Sequence, residues 1–172
     1  MILYPKLYLN SVKEISLELL EQYQLKGLIL DVDNTLIDYD KNMPEGIQEW
    51  VEKLKYAGIS FCIVSNSNQK EKVEKVAKKL DIPYIYFAKK PCKGGLKRAK
   101  KILKLKNEQI GVVGDQILTD VVGANRMKMF SILVKPINEK DILITKIKRP
   151  FENKIIKNYL NKVQNKNYIV KK

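Results

Sequence analysis

The chain has 172 residues, of which 45% are hydrophobic and 30% charged, which excludes a disordered protein and allows one domain with a buried core. Half of its formal charge of +14 lies in residues 137–172, where ten Lys or Arg stand against three Asp or Glu, so an anionic partner or surface is expected. The chain has no histidine, which removes Ser-His triads, His-ligated zinc and histidine general bases and leaves acid–base work to carboxylates and lysines.

The start, Met1-Ile2-Leu3-Tyr4-Pro5-Lys6, lacks the pattern of a secretory signal. No apolar run reaches the roughly 18 residues of a membrane span. The protein is expected in the cytoplasm, with peripheral contact at the inner membrane face left open. Cys62, inside an apolar run, reads as a small buried residue, and Cys92 lies beside Pro91 and Lys93; two such cysteines make no disulfide framework.

In chain order, Ser11 to Gln22 predicts a leading helix, with Ser11 as cap and Glu14 completing a capping box. Gly27 to Val32 reads as the first strand of the domain. Pro44 and Glu45 open a helix through Trp50, Val51 and Leu54, stopped by Gly58. Ile59 to Val64 is the next strand, and Ser67 or Asn68 caps a helix with Val73, Val76, Ala77 and Leu80 on one face. Tyr84 to Phe87 is a short strand. Lys93 to Leu105 predicts a helix with Leu96, Ala99, Ile102 and Leu103 inward. A strand at Ile110 to Gly114, a helical turn region at Leu118 to Asn125 and a strand at Phe130 to Val134 follow.

Strands alternating with amphipathic helices predict an α/β domain, a parallel sheet flanked by helices in three layers. Its expected bounds are 1–136, with the leading helix included, followed by a basic C-terminal extension over 137–172. In that extension Phe151, Ile155, Ile156, Tyr159, Leu160 and Val163 recur at helical spacing, accompanied by Lys154, Lys157 and Lys162. The stripe suits a helix packed on the domain, or a basic amphipathic helix on a lipid surface or a partner.

Polar residues stand at four predicted strand ends. Asp31 and Asp33 close the first strand, Ser65 and Asn66 the second; Lys90 follows the third and Asp115 the fourth. Ligands of open α/β sheets bind outside the carboxyl ends of the strands, so one crevice is expected to collect all four. The spacing agrees: 33 residues separate Asp31 from Ser65, and 24 separate each later pair, room for one crossover each time.

Each residue type suits phosphoryl transfer. Asp31 can attack phosphorus as a carboxylate nucleophile, and Asp33 can serve as acid and then base. Mg²⁺ suits Asp31, Asp115 and the backbone carbonyl of Asp33. Ser65 and Asn66 can bind phosphate oxygens, and Lys90 offers a fixed positive charge to the transition state. Thr35 and Asn34 can shape the turn. Gly114 lets the backbone approach closely, and Asp120 can cap a helix, orient Lys90 or hold a metal water.

This ordered set resembles the haloacid dehalogenase superfamily of aspartate-nucleophile phosphatases. Asp31-Val-Asp-Asn-Thr-Leu matches its first motif, Ile63-Val-Ser65-Asn its second, Lys90-Pro91 its third and Gly114-Asp-Gln-Ile-Leu-Thr-Asp120 its fourth. The Lys-Pro pair and the compact fourth motif, with Gly123 and Asn125, look like subclass IIIA. The whole-chain arrangement is similar to the YqeG group, related to phosphatidylglycerophosphate phosphatases. The resemblance implies a Rossmann-like fold, Mg²⁺ dependence, Asp31 as nucleophile and Asp33 as acid/base. Lys89 and Lys93 compete with Lys90 for the third motif.

Members of this superfamily often carry a cap domain over the site, and here both insertion points are nearly empty. Eight residues lie between Thr35 and Pro44. A site without a lid is expected to take a phosphate presented on something large. A phospholipid phosphate at an anionic membrane surface, such as phosphatidylglycerophosphate, is the preferred substrate. A nucleic-acid end or a nucleotide is the second reading, disfavoured because no exposed aromatics interleave with the lysines and because Tyr84 and Tyr86 are expected to pack within the sheet layers. A non-catalytic anion-binding scaffold is the third. The oligomeric state is left open.

Overall fold

The computed structural model describes residues 2–138 and 143–170. Six strands form one sheet: β1 (Leu7–Leu9), β2 (Gly27–Leu30), β3 (Ser60–Val64), β4 (Tyr84–Ile85), β5 (Ile110–Gly114) and β6 (Phe130–Val134). Their order is β1-β6-β5-β2-β3-β4, with every pairing parallel. From β2 the chain runs outward through β3 and β4, then returns to β5 and β6 on the other side. That reversal opens a crevice at the carboxyl end of β2, between its neighbours β3 and β5.

Side-chain alternation makes the layers. Leu28 and Leu30 of β2 join one apolar cluster, while Ile29 joins the other. On the first face lie α1 (Leu17–Gln22), α2 (Ile47–Tyr56) and α3 (Lys70–Leu80), contributing Leu20, Trp50, Val51, Leu54, Val73 and Ala77. On the second lie α4 (Lys93–Leu103) and α5 (Val122–Arg126), contributing Leu96, Ala99, Leu103 and Ala124. The result is the expected α/β three-layer, Rossmann-like architecture. Between β2 and α2 the chain has only the loop 31–46, and no inserted domain covers the crevice among the described residues.

The N-terminal segment differs from expectation. Instead of one helix over Ser11 to Gln22 there is a 3₁₀ turn, Val12–Glu14, and then the separate α1 capped by Ser16. Ile15 is fully buried, and its carbonyl accepts the indole N–H of Trp50 at 2.9 Å, which draws it away from a helical ladder. Glu14 reaches back to Asn10 rather than to Ser11. The strand β1 carries too few residues to show alternation. Ile102 and Tyr86, expected inward, are exposed. The Ile102 position falls off the buried stripe of Leu96, Ala99 and Leu103, and β4 ends at Ile85, one residue before Tyr86.

A 28-residue helix, α6 (Leu143–Val170), closes the chain. Ile155 is buried against Ile117, Val121 and Leu133, with Tyr4 and Ile156 packed alongside. Tyr159 meets Tyr4 edge-on at 5.9 Å, and Glu152 accepts the backbone N–H of Leu118 at 3.1 Å. The helix thus packs on the second face, beside β6, while Phe151, Leu160 and Val163 are exposed. No helix among the described residues is long and apolar enough to cross a membrane.

Candidate active site

The peptide ladder carries one residue past β2, because the Asp31 N–H donates to the Val113 carbonyl at 2.9 Å. That bond sets the Asp31 carboxylate at the mouth of the crevice, where it accepts the Lys90 ammonium at 2.7 Å. Lys90 also donates to Asp120 Oδ1 at 2.6 Å. All three residues are buried. Lys89 and Lys93 are both exposed, and the Lys89 ammonium lies over the Phe87 ring at 4.9 Å; Lys90 is therefore the lysine at the carboxylates.

Oxygen atoms of Asp31, Asp115 and Asp120 lie within 4.8 Å of one another. Asp120 is already occupied: besides Lys90 it accepts the Gln116 N–H at 3.2 Å and the Thr119 hydroxyl at 3.3 Å. Asp115 is different. Its Oδ1 is buried and has no hydrogen-bond partner among the described residues, an arrangement that costs free energy without a cation or a proton. The donor set, carboxylate oxygens with one orphan, fits a hard divalent cation. Gly114 is required by the same packing, since a Cβ there would collide with the Asp120 carboxyl group. Asp120 arrives on a single π-helical turn, Ile117–Val121, directly after β5.

Burial pushes the Asp31 carboxyl up to about 7; Lys90 opposes the rise and the Asp120 charge adds to it. Burial and the Asp31 charge likewise hold Asp115 well above the usual carboxyl range. Burial would pull the Lys90 ammonium down, but Asp120 and Asp31 more than offset it, so Lys90 stays protonated.

These shifts have a direction. A carboxyl whose folded-state value exceeds its unfolded one binds extra proton in the folded state, so stability falls as pH rises between the two values. For Asp31 that window runs from the ordinary 3.8 to about 7. Thermal melting in chelator is expected to show declining stability from pH 5 to pH 8. Added Mg²⁺ should restore more at pH 8 than at pH 5, because metal binding needs the deprotonated carboxylates. A metal-induced shift that is the same at both pH values would contradict the cluster's role.

Asp33 takes a different partner from Asp31. Its carboxylate is half-exposed and forms an ion pair with Lys72 at 2.5 Å. Lys72, in the first turn of α3, is a site neighbour that the sequence does not single out among so many lysines. Ser65 is fully buried after β3, and its oxygen accepts the Ser67 N–H at 3.1 Å, which leaves the hydroxyl proton to donate. Asn66, expected at the phosphate, is instead turned onto Lys90. Its Oδ1 accepts the Lys90 N–H at 2.6 Å and its Nδ2 donates to the Lys90 carbonyl at 2.9 Å, so both polar ends hold the backbone that presents the ammonium. Thr35 is buried with its hydroxyl oxygen unpartnered among the described residues. Asn34 adopts a left-handed φ of 59° and accepts the Ile137 and Asn138 N–H groups.

A family model described as mitochondrial PGP phosphatase matches residues 1–138. The protein named Probable phosphatase YqeG of Bacillus subtilis (strain 168) is 39% identical over 153 residues, covering 88% of each chain. The chain belongs to this family of YqeG-like phosphatases. A second relative, phosphatidylglycerophosphate phosphatase 1 (chloroplastic/mitochondrial) of Arabidopsis thaliana, is 23% identical across 92% of this chain. The chain spans 48% of that relative's length. Among solved structures, an uncharacterized protein of Listeria monocytogenes serotype 4b superposes with a TM-score of 0.54 at 18% identity, over 69% of this chain and 86% of its own. A candidate 3-deoxy-D-manno-octulosonate 8-phosphate phosphatase of Vibrio cholerae gives 0.50 at 20% identity, over 69% and 79%. Both share the fold. The chain is a phosphatase, and the Asp31, Lys90, Asp115 and Asp120 cluster lies where its crevice opens.

Proposed function

We propose that this phosphatase is a Mg²⁺-dependent phosphomonoester hydrolase that works through an aspartyl-phosphate on Asp31. The observation that carries the reading is the Lys90 ammonium held between Asp31 and Asp120, with the unpartnered Asp115 oxygen beside them. Asp31, Asp115 and the Asp33 backbone carbonyl would hold the cation. It supplies the positive charge that lets a carboxylate approach a phosphate.

The Asp31 carboxylate oxygen forms a bond to phosphorus while the bond from phosphorus to the leaving oxygen breaks. Asp33 gives that oxygen its proton, and the free alcohol departs. Asp33 then takes a proton from a water whose oxygen attacks the same phosphorus, and the bond to Asp31 breaks to release inorganic phosphate. Lys90 neutralises charge on the phosphoryl oxygens throughout. The Ser65 hydroxyl orients one of them. Asn66 fixes the Lys90 backbone and acts as a positioning residue.

The substrate we favour is a phospholipid phosphate such as phosphatidylglycerophosphate, presented at an anionic membrane surface. The open crevice, the basic chain and the family support this. Phosphate release should be compared between phosphatidylglycerophosphate in vesicles and 3′- or 5′-phosphorylated oligonucleotides. Turnover of the lipid in Mg²⁺ is expected to exceed that of the oligonucleotides by at least roughly tenfold, about 1.4 kcal/mol of transition-state preference. The reverse order would shift the reading to a nucleic-acid-end phosphatase. No release from any phosphomonoester would leave an anion-binding scaffold.

A further inference from the structure

A groove of about 750 Å³ lies between the loop that follows Asp33 and the side of α3 that faces it, a size that suits part of a small-molecule ligand. It lies beside the candidate acid/base, Asp33, which two of its lining residues touch. Lys72 lines it while touching Asp33, and Ile37 lines it while bridging to Asp33 in the backbone. Lys72, Lys75, Val76 and Lys79 recur at three- and four-residue spacing, so α3 presents them on one side. Lys41 faces them from the loop. Four lysines thus stand against one acid, Glu71.

The groove is not only charged. Partly exposed Met43 gives it an apolar side, with the buried Ile37 and Val76 at its base, and none of its lining residues is aromatic. A cationic rim with an apolar side, next to a phosphomonoester site through Lys72 and Ile37, calls for a ligand with a second anion and an aliphatic portion. A nucleic-acid strand would ask for rings on which bases could stack, and none lines the groove.

We infer that the groove between α3 and the loop 37–43 binds the phosphodiester and adjoining glycerol of the same lipid whose terminal phosphate enters at Asp31. This rests on the phospholipid reading given above and adds a subsite to it. Lys75 and Lys79 are exposed and lie outside the catalytic cluster, so substituting them should leave the fold and the reacting groups intact.

The test compares wild type with Lys75→Ala/Lys79→Ala on four substrates. They are phosphatidylglycerophosphate in vesicles, its deacylated form (which keeps both phosphates), p-nitrophenyl phosphate and a 5′-phosphorylated oligonucleotide. The double variant is expected to raise KM roughly tenfold or more for the two bisphosphates, the effect of losing two lysine–phosphate attractions. Its kcat/KM on p-nitrophenyl phosphate should be unchanged. Equal losses on all four substrates, or no loss on the bisphosphates, would overturn the subsite. A loss confined to the oligonucleotide would do the same and point to a nucleic-acid strand. Binding gives a readout without turnover: in an Asp31→Asn background, calorimetry should show the deacylated bisphosphate held roughly tenfold more weakly without the two lysines, and inorganic phosphate held equally. If wild type hydrolyses none of the four, the proposed reaction fails. The calorimetric pair then decides the subsite alone, and equal affinity for the bisphosphate would reject it.

Discussion

Asp31→Asn is expected to lower phosphate release by on the order of 10⁴-fold or more, because an uncharged amide cannot form the bond to phosphorus on which both half-reactions of the proposed mechanism depend. The substitution is nearly isosteric, and the Lys90 ammonium can still donate to the side-chain oxygen at the place it now occupies, 2.7 Å from Oδ1. Loss of activity should therefore come without loss of structure. The variant should also be at least as stable as wild type at pH 8 in chelator, since it removes a buried carboxyl whose value is pushed up to about 7. Two measurements decide the matter: phosphate release under saturating substrate, and the mass of protein quenched during turnover. Retention of a tenth or more of wild-type turnover, with no phosphorylated protein in either case, would remove Asp31 as nucleophile.

Lys90→Met should damage both fold and function. Lys90 is the shared cation of two carboxylates, at 2.7 Å from Asp31 and 2.6 Å from Asp120, with the side chains of Lys90 and Asp120 each 2% exposed. Removing one member of such a group leaves charge buried without a partner, and about 3–5 kcal/mol of unfolding free energy should be lost. Methionine fills similar space, so cavity formation is a minor part of that figure. Catalysis should fall by about 10²–10³-fold, the scale seen when one fixed donor to a developing charge is deleted. The two effects separate in a double-mutant cycle with Asp120→Asn. If repulsion between Asp31 and Asp120 is the source of instability, neutralising Asp120 in the Lys90→Met background should recover stability but not turnover. Urea unfolding in chelator reads the first and phosphate release the second. A Lys90→Met protein as stable as wild type would show that the buried network contributes little.

The strand-end residues were legible for a specific reason. Asp31, Ser65, Lys90 and Asp115 each follow an apolar run, and the intervals between them admit a single crossover. Parallel connection then leaves little choice but to bring them to one edge of the sheet. Local rules served less well where tertiary contact competes with them. Ser11 and Glu14 satisfy the letter of a capping box, yet burial of Ile15 and the Trp50 hydrogen bond break the segment in two. The choice among Lys89, Lys90 and Lys93 had no local answer, because three neighbouring lysines look alike until burial separates them.

Asn66 and Lys72 show the same limit at the site. Asn66 stands in the second motif and yet turns its amide to the Lys90 backbone, a partner 24 positions away. Lys72 reaches Asp33 across 39 positions. Nothing local to either residue encodes those distances.

The amino-acid order alone determined the α/β class, the parallel layering, the nearly empty insertion points and the placing of polar groups at the strand ends. Apolar periodicity and strand-end chemistry are properties of neighbouring residues, and they survive without knowledge of the packed form. Only the tertiary structure decided which lysine neutralises the carboxylates, which carboxylate oxygen is left for a cation, and that α6 packs its Ile155 side against the core. Burial and hydrogen-bond competition make those choices, and both exist only once distant segments have met.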